Sequence, residues 1–354
     1  MKILVAVDDG YCSPEIIPFS MFGGISHEFI VQYLRSPYVD NLINQITYGV
    51  KMPRVGTETM VALLCPIPPL AEQRRIVTKI EQILPYINEY ESSELKIGQL
   101  NKEFPDKLKK SILQEAVQGK LVPQDPSDEP ASILLERIRE EKAKLIKEGK
   151  IKKDKNESVI FRRDNSYYEK SNGVERCIDA ELPFEIPASW EWVRVGTMFQ
   201  HNTGKALNSS NRIGKLLDYI TTSNLYWDKF ELNSLKQMFF TDSEIEKCIV
   251  TKGDLLVCEG GDVGRAAIWN YDYDICIQNH IHKLRAYVPV STKFFFYLFY
   301  FYKKAGFIGG RGIGIQGLSS NALHSLLFPL PPMLEQKRIV EEIEKLFPLC
   351  NKLK

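Results

Sequence analysis

The stretch PIPPLAEQRRIV at residues 66–77 returns in the sequence as PLPPMLEQKRIV at residues 329–340. Two leucines ahead of each copy also match, and farther upstream residues 25–29 resemble residues 290–294 with a small shift in register. A repeat of this length indicates a duplicated domain with its connector rather than a short solenoid unit. Each of the two copies therefore contains the end of a globular domain, a proline hinge and the start of a helix.

Composition narrows the class of protein. A chain of 354 residues with 44% hydrophobic content can bury one or two cores, and ordinary domain sizes favour two globular units. No uncharged apolar run reaches the length of about 18 residues that a membrane helix needs, and the first residues are too acidic for a signal peptide. We therefore expect a cytoplasmic protein. The net charge is only +1, so any nucleic-acid binding must come from local patches.

The cysteines give no sign of a disulfide framework or of a zinc site. There are seven of them, an odd number, and no pair has the CxxC spacing. We expect them to be reduced.

Apolar residues after the first hinge follow the coiled-coil period. From Ile76 to Leu108 they recur at alternating steps of three and four, and the second copy repeats this seam from Ile339 to Leu353. We expect the first helix to pair antiparallel with the second. Periodicity alone equally allows a partner helix from another molecule, and a helix docked on a core is the simplest alternative. Pro85 and Pro105 predict local bends in the first helix.

Local patterns predict an α+β protein in which mixed α/β domains with short strands are joined by long helices. In the first domain, residues 3–7 have a strand pattern and residues 27–34 a helix pattern, whereas residues 156–181 have the composition of an exposed connector. The predicted organisation is a partial first domain (1–68), a spacer helix (69–121), a linker with a short helix and a lysine-rich segment (122–181), a complete second domain (182–331) and the start of a second conserved helix (332–354).

The sequence contains no pattern that indicates catalysis. It has no GxxxxGK[ST] phosphate loop, and the glycine-rich residues 260–265 lack the GxGxxG order and predict a tight turn. His280 and His282 could face one metal ion from a strand, but no acidic or cysteine partner lies at a useful spacing. We expect no catalytic residue, no cofactor and no metal.

Polar loops in the second domain form the candidate recognition surface. Arginine, asparagine and glutamine side chains read base edges, lysine and serine hold phosphates, and glycine lets the backbone approach the duplex closely. The predicted DNA contacts are Lys205, Asn208, Ser210, Asn211, Arg212, Thr222, Asn224, Arg265, Asn279, His280, Arg311 and Gln316.

The duplicated hinge, the segment FPDKLKKSILQEAVQGKLVP at residues 104–123 and the run from Pro183 to Trp192 together resemble the specificity subunit of type I restriction-modification systems. The resemblance spans essentially the whole chain. It implies two target-recognition domains that each read half of a bipartite double-stranded DNA site, with an antiparallel pair of helices fixing their spacing. It also implies a non-catalytic subunit that recruits two adenine-methylation subunits and, through them, restriction subunits.

The same resemblance implies that residues at the start of each spacer helix serve the scaffold and the methylation-subunit interface, with ordinary capping after a Pro-Pro hinge as the alternative. These residues are Glu72, Gln73, Arg75, Glu335, Gln336 and Arg338. The chain departs from the family plan because its first domain lacks a part matching residues 182–266 and its second helix lacks a copy of residues 101–122.

Several alternatives stay open at this point. The chain could be a truncated or silent recombination donor, or a subunit active only when paired with a second specificity subunit or fragment. A coiled-coil assembly protein without a DNA role and a self-contained nuclease are alternatives from other classes.

Overall fold

The computed structural model describes residues 3–46, 56–152, 158–208, 210, 212–308 and 318–353. It has the predicted α+β class and divides into two compact units, Met1–Leu100 and Asn101–Lys354. Within the described ranges, no helix combines the length and the apolarity needed to cross a membrane.

Helices build the described part of the first unit, and a side chain caps the first of them. The hydroxyl of Ser26 accepts a hydrogen bond from the backbone N–H of Phe29 at 3.3 Å, which fixes the predicted start at His27. The core consists of Phe29, Ile30, Leu34, Val39, Ile43 and Val77. The helices are α1 (His27–Leu34), α2 (Pro37–Ile46), α3 (Thr57–Val61) and the first part of α4 (Leu70–Val117).

The strand predicted at residues 3–7 is wrong. These residues have no regular secondary structure, and Leu4 and Val7 are exposed. A strand needs a hydrogen-bonded neighbour, and the structure describes none beside this segment.

Residues 158–177, predicted to be an exposed connector, belong to an antiparallel three-stranded sheet in the second unit. Ile160 is buried against Ile178, Trp192 and Leu327, so the sheet packs on the body of the unit. The short helix that the sequence predicted within the linker lies ahead of this sheet, and it buries Leu134 and Ile138 in the main core. These elements are α5 (Ala131–Lys147), β1 (Ser158–Arg163), β2 (Ser166–Ser171) and β3 (Val174–Cys177).

Two four-stranded sheets form the centre of the second unit. The elements of this part are β4 (Glu191–Arg194), α6 (Val195–Met198), β5 (Phe199–Thr203), β6 (Lys215–Ile220), β7 (Leu225–Tyr226), β8 (Lys229–Phe230), β9 (Lys236–Phe240), α7 (Asp242–Cys248), β10 (Ile249–Val250), β11 (Leu255–Cys258), β12 (Ala266–Ile268), β13 (Ile275–Ile277) and β14 (Ile281–Ala286). One sheet has the order β10-β13-β6-β9, in which only β13 and β6 are parallel, and the other is antiparallel with the order β12-β11-β14-β5.

An aromatic helix packs on the antiparallel four-stranded sheet. Phe295 meets Phe199 edge to face at 5.0 Å between ring centroids, and Phe299 meets Phe328 at the same distance. Such pairs add to the free energy gained by burial. The remaining elements are α8 (Thr292–Ala305), α9 (Ser320–Ser325), β15 (Leu327–Leu330) and α10 (Met333–Asn351).

The repeat in the sequence is also a repeat of elements: α8, α9 and α10 correspond to α1, α3 and α4. Each copy of the repeat contains a buried glutamine that makes two hydrogen bonds. Gln73 Oε1 accepts from Ser26 N at 2.8 Å, and its Nε2 donates to Pro68 O at 2.8 Å. Gln336 Oε1 likewise accepts from Ser291 N at 3.1 Å, and its Nε2 donates to Pro331 O at 3.0 Å. Each glutamine therefore ties its spacer helix to its hinge and to the helix ahead.

Helix α4 is continuous through Pro85 and Pro105, and α10 runs antiparallel to its last turns. The start of α10 lies beside Gln124, whereas at its end Asn351 Oδ1 accepts a hydrogen bond from Lys109 Nζ at 2.6 Å. In the middle of α4 the predicted seam is exposed at Ile87, Tyr90 and Ile97.

Candidate nucleic-acid interface

Loops that the sequence predicted separately meet at one edge of the second unit. Lys205 N donates to Ile277 O at 3.0 Å, and Asn279 N donates to Lys205 O at 3.0 Å. Gln278 N donates to Ile220 O at 2.9 Å. The loops that follow β5, β6 and β13 are therefore held side by side.

The glycine-rich turn joins the same edge. Arg265 Nη2 donates to Thr222 O at 2.6 Å, and Glu259 N donates to His280 O at 2.9 Å. We call this surface the loop edge and define it as residues 204–208, 210, 212, 221–224, 259–265 and 278–280.

Gly204 is required by the close approach of two loops. A Cβ at this position would lie 2.0 Å from Ile277 O, and this contact is with backbone, which cannot move aside as a side chain would. The loop after β5 can therefore cross the end of β13 only with glycine here.

The loop edge exposes several of the predicted DNA contacts. Asn208, Ser210 and Arg212 are exposed, and Asn208 Oδ1 accepts from Ser210 N at 3.1 Å in a local turn. His280 is also exposed, with Nδ1 3.4 Å from a carboxylate oxygen of Glu259. Thr222 and Asn279 are half-buried beside them. Hydroxyl, amide, guanidinium and imidazole donors are thereby gathered on one face.

Two predicted contacts point inward. The side chain of Lys205 is only 9% exposed, and its Nζ donates to Phe239 O at 2.8 Å and to Glu244 Oε2 at 2.7 Å. This hydrogen bond is the main reason that the pKa of Glu244 is lowered to about 2. Asn224 is 5% exposed; its Oδ1 accepts from Thr221 N, and its Nδ2 donates to Glu231 O, each at 3.0 Å. These side chains shape the loops and do not present donors to a ligand.

Arg265 is half-buried and bridges two loops. Besides its bond to Thr222 O, its guanidinium lies 5.1 Å from the ring centroid of Tyr226. Its position fits support of the loop edge better than base contact. Asn211, Arg311 and Gln316, the other predicted contacts, lie outside the described residues.

The hinge residues differ between the two copies. Glu335 is buried, where it accepts from Trp190 Nε1 at 2.9 Å and from the amide of Gln124, and burial raises its pKa. Arg338 pairs with Asp128. Their counterparts Glu72 and Arg75 are exposed. Of the six predicted interface residues, Gln73, Gln336 and Glu335 are therefore buried within the chain.

Three hydrogen-bonded histidines in the second unit were missed by the sequence reasoning. His282 Nε2 lies 2.6 Å from Leu318 O, a carbonyl that can only accept, so this nitrogen carries the proton. His282 Nδ1 then accepts from His201 Nε2 at 2.8 Å, and His201 Nδ1 accepts from His324 Nε2 at 2.9 Å. Burial and the two neighbouring histidines lower the pKa of His201 to about 3. No local spacing connects these residues in the sequence.

Comparison with known proteins finds similarity to one protein family. Residues 187–354 match the family model of the type I restriction modification DNA specificity domain. The matched residues contain the whole loop edge and the second hinge.

Two curated relatives match a longer part of the chain. The chain is 29% identical over 388 residues to the specificity subunit of the type I restriction enzyme EcoAI from Escherichia coli, covering 95% of this chain and 62% of that subunit. It is 30% identical over 274 residues to the EcoEI specificity subunit from Escherichia coli, covering 70% of this chain and 41% of that subunit. A crystal structure of the HsdS subunit from Thermoanaerobacter tengcongensis aligns with 18% identity and a TM-score of 0.42, covering 92% of this chain and 63% of that one.

The chain is similar to specificity subunits of type I restriction enzymes over most of its length. It spans less than two thirds of the length of the relatives it matches.

Proposed function

We propose that this chain is the DNA-sequence-recognition subunit of a type I restriction-modification complex. It directs adenine-methylation and restriction subunits to a bipartite target and catalyses neither reaction itself. The loop edge carries the proposal, because backbone hydrogen bonds hold loops distant in sequence side by side and these loops expose several donors. Bidentate and charge-assisted donors of this kind read base edges and hold phosphates.

Arg212, Asn208 and Ser210 are the best-placed residues for this role. All three are exposed and lie on the loop that Gly204 lets cross the end of β13. His280 extends the same surface. A guanidinium can pair with guanine or with a phosphate, and an asparagine amide can pair with adenine.

The proposed partners are double-stranded DNA, two methylation subunits and, through them, restriction subunits in the cytoplasm. Glu72 and Arg75 are exposed at the first hinge and are the proposed contacts with a methylation subunit. A second specificity subunit or fragment is a further proposed partner.

Methylation mapping tests the activity. The chain, expressed with its cognate methylation subunit in a host without adenine methylation, should produce methylated adenine at one defined motif. Arg212→Ala should lower the methylated fraction at that motif, whereas Arg139→Ala, an exposed arginine on α5, should leave it unchanged. Absence of any motif that depends on the chain would contradict active recognition and favour a silent recombination donor.

Salt-dependent binding separates recognition from an assembly role. The affinity of the complex for a duplex should fall steeply with salt, because bound cationic side chains release counterions from phosphates. If Arg212 contacts a phosphate, Arg212→Ala should reduce the slope of log affinity against log salt by about one. Binding that is absent at low salt would favour a coiled-coil assembly protein.

A further inference from the structure

A large cavity in the second unit lies along the edge of a strand. Its volume is about 1560 Å³, and it is lined by residues outside the loop edge. Phe199, Gln200, His201 and Asn202 of β5 all line it. Successive side chains of a strand point to opposite faces of the sheet, so four consecutive lining residues place the cavity beside the strand edge. The volume exceeds the roughly 300–1,000 Å³ of small-molecule sites and can hold a segment of a polymer.

β5 is the last strand of its sheet, and the hydrogen bond at its start shows which backbone groups point outward. Tyr287 N donates to Met198 O at 3.5 Å, and the pairing of β5 with β14 continues from there without a break. Hydrogen-bonded pairs alternate along an antiparallel ladder. The N–H and C=O groups of Phe199 and His201 therefore point away from β14.

The outward side of this strand is paired at its end and open at its start. Just beyond β5, Lys205 N donates to Ile277 O and Lys205 O accepts from Asn279 N, each at 3.0 Å. At Phe199 and His201, the described part of the chain places no strand on this side. Main-chain donors and acceptors of both residues therefore face the cavity without a strand partner.

Two amide side chains lie beside the open edge. Gln200 and Asn202 share one face of β5 and are half-buried. Neither side chain forms a hydrogen bond with another described residue. Because a carboxamide carries both donors and an acceptor, these groups can bind the main chain or the side chains of an added segment.

The charges of the cavity favour an acidic ligand. Cationic side chains outnumber acidic ones in its lining, and two of the acids are already neutralised by arginines. These pairs are formed by Arg176 and Arg194 with Glu169 and Glu181. Lys152 and Lys247 are exposed and form no ion pair with a described residue. Two ammonium groups thus remain for the carboxylates of a ligand.

We propose that this cavity binds an extended acidic peptide segment of a partner protein, which adds as a strand to the open edge of β5. The main chain of the segment exchanges hydrogen bonds with Phe199 and His201, and its carboxylates pair with Lys152 and Lys247. Addition to a sheet edge takes affinity from main-chain hydrogen bonds and specificity from alternate side chains. The site shares no residue with the loop edge and does not rest on the proposed recognition function.

A nucleic-acid strand fits the cavity less well than a peptide. A phosphate is only an acceptor, so a phosphate backbone would leave the outward C=O groups of Phe199 and His201 without a donor. Its charge would also lie beside the exposed carboxylate of Glu246, which lines the cavity as well. An extended peptide supplies donors and acceptors in alternation and matches the strand edge.

Peptide selection against the intact chain, without DNA, tests the proposal. A random library of ten-residue peptides displayed on phage is selected for binding, and the enriched peptides are synthesised. They should carry an excess of aspartate and glutamate over the unselected library. At saturation they should slow amide exchange within residues 199–202 at least about tenfold, because outward N–H groups gain ladder partners. The proposal is overturned if no peptide is enriched, if the enriched peptides have no acidic excess, or if the protection falls outside the cavity.

Charge-matched variants separate the cavity from the rest of the surface. Lys152→Glu combined with Lys247→Glu should weaken binding of a selected peptide at least about tenfold, because each change places a carboxylate beside those of the ligand. Lys229→Glu combined with Lys236→Glu, at exposed positions outside the cavity, should change the affinity by less than about twofold.

Two further results would contradict the proposal. An equal loss of affinity in both double variants would show that only the net charge of the chain matters. Protection of residues 199–202 by a DNA duplex of random sequence, without peptide, would assign the cavity to nucleic acid. Because the peptide assays contain no DNA, their failure leaves the proposed recognition function untouched, and failure of methylation leaves the peptide result intact.

Discussion

At the scale of single residues, the histidine chain makes the second unit sensitive to acid. The pKa of His201 is lowered to about 3 by burial and by its neighbours His282 and His324, and burial also lowers the pKa of His282. An unfolded histidine has a pKa of about 6.5. The unfolded state therefore binds protons first as the pH falls, and the stabilising contribution is complete only above about pH 6.5.

We predict that the free energy of unfolding falls between pH 6.5 and 5 by up to about 1.4 kcal/mol per pH unit for each such histidine. His201→Asn should flatten this dependence. Urea titrations followed by tryptophan fluorescence measure it, since all four tryptophans lie in the second unit. Glu169, whose pKa is lowered to about 2 mainly by Arg194, loses its contribution only as the pH falls through 4.5 and below. If the free energy of unfolding of His201→Asn falls with pH as steeply as that of the unchanged protein between pH 6.5 and 5, the prediction is wrong.

The sequence identifies the polar loops as a candidate recognition surface, but it does not show whether each side chain points outward or inward. Lys205 and Arg212 are both cations in one polar loop, yet Lys205 turns inward to Glu244 and Arg212 is exposed. The difference depends on β9 and α7, which lie dozens of residues away and bring Phe239 O and Glu244 to the ammonium. Local polarity carries no such information.

At the scale of elements, the glutamine of each hinge ties three segments together. In the second copy, Gln336 joins the residue that precedes α8, the hinge and α10 through two hydrogen bonds with no exposed surface on the side chain. A leucine of similar size would leave Ser291 N and Pro331 O without these partners, and each unsatisfied buried group costs about 1–3 kcal/mol.

We therefore predict that Gln336→Leu lowers the free energy of unfolding of the second unit by about 2–5 kcal/mol. Gln114→Leu, on an exposed face of α4, is the matched control and should change it by less than about 0.5 kcal/mol. Chemical denaturation followed by tryptophan fluorescence gives both values. If Gln336→Leu and Gln114→Leu lower the free energy of unfolding by the same amount, the hinge glutamine has no special role in stability.

Elements with local signals were predicted well, and those that depend on distant partners were not. Helix α1 begins and ends at the predicted residues because a serine cap and an apolar face specify it. The predictions for residues 3–7 and for residues 158–177 were wrong in opposite directions. Residues 3–7 have a strand pattern but form no strand, whereas residues 158–177 are mostly polar and belong to a three-stranded sheet that packs on Trp192.

At the scale of the whole molecule, the two units have separate cores. Phe29 packs in the first, with Val39, Ile43 and Val77, whereas Phe299 packs in the second. Duplication predicts shared contacts at the two hinges, and the buried glutamine of each hinge makes the same pair of hydrogen bonds. It did not predict that Glu335 and Arg338 would find internal partners while Glu72 and Arg75 remain exposed, because those partners come from residues 124, 128 and 190.

Separate cores predict separate unfolding. Differential scanning calorimetry of the full chain should show two transitions, with the smaller heat from the first unit, since unfolding enthalpy scales with the number of ordered residues. Phe29→Ala should lower only the smaller transition, and Phe299→Ala only the larger, because each removes about 3–5 kcal/mol of buried contacts from one core. If either variant shifts both transitions together, the two units unfold as one cooperative body and the division of the chain at residue 100 has no thermodynamic meaning.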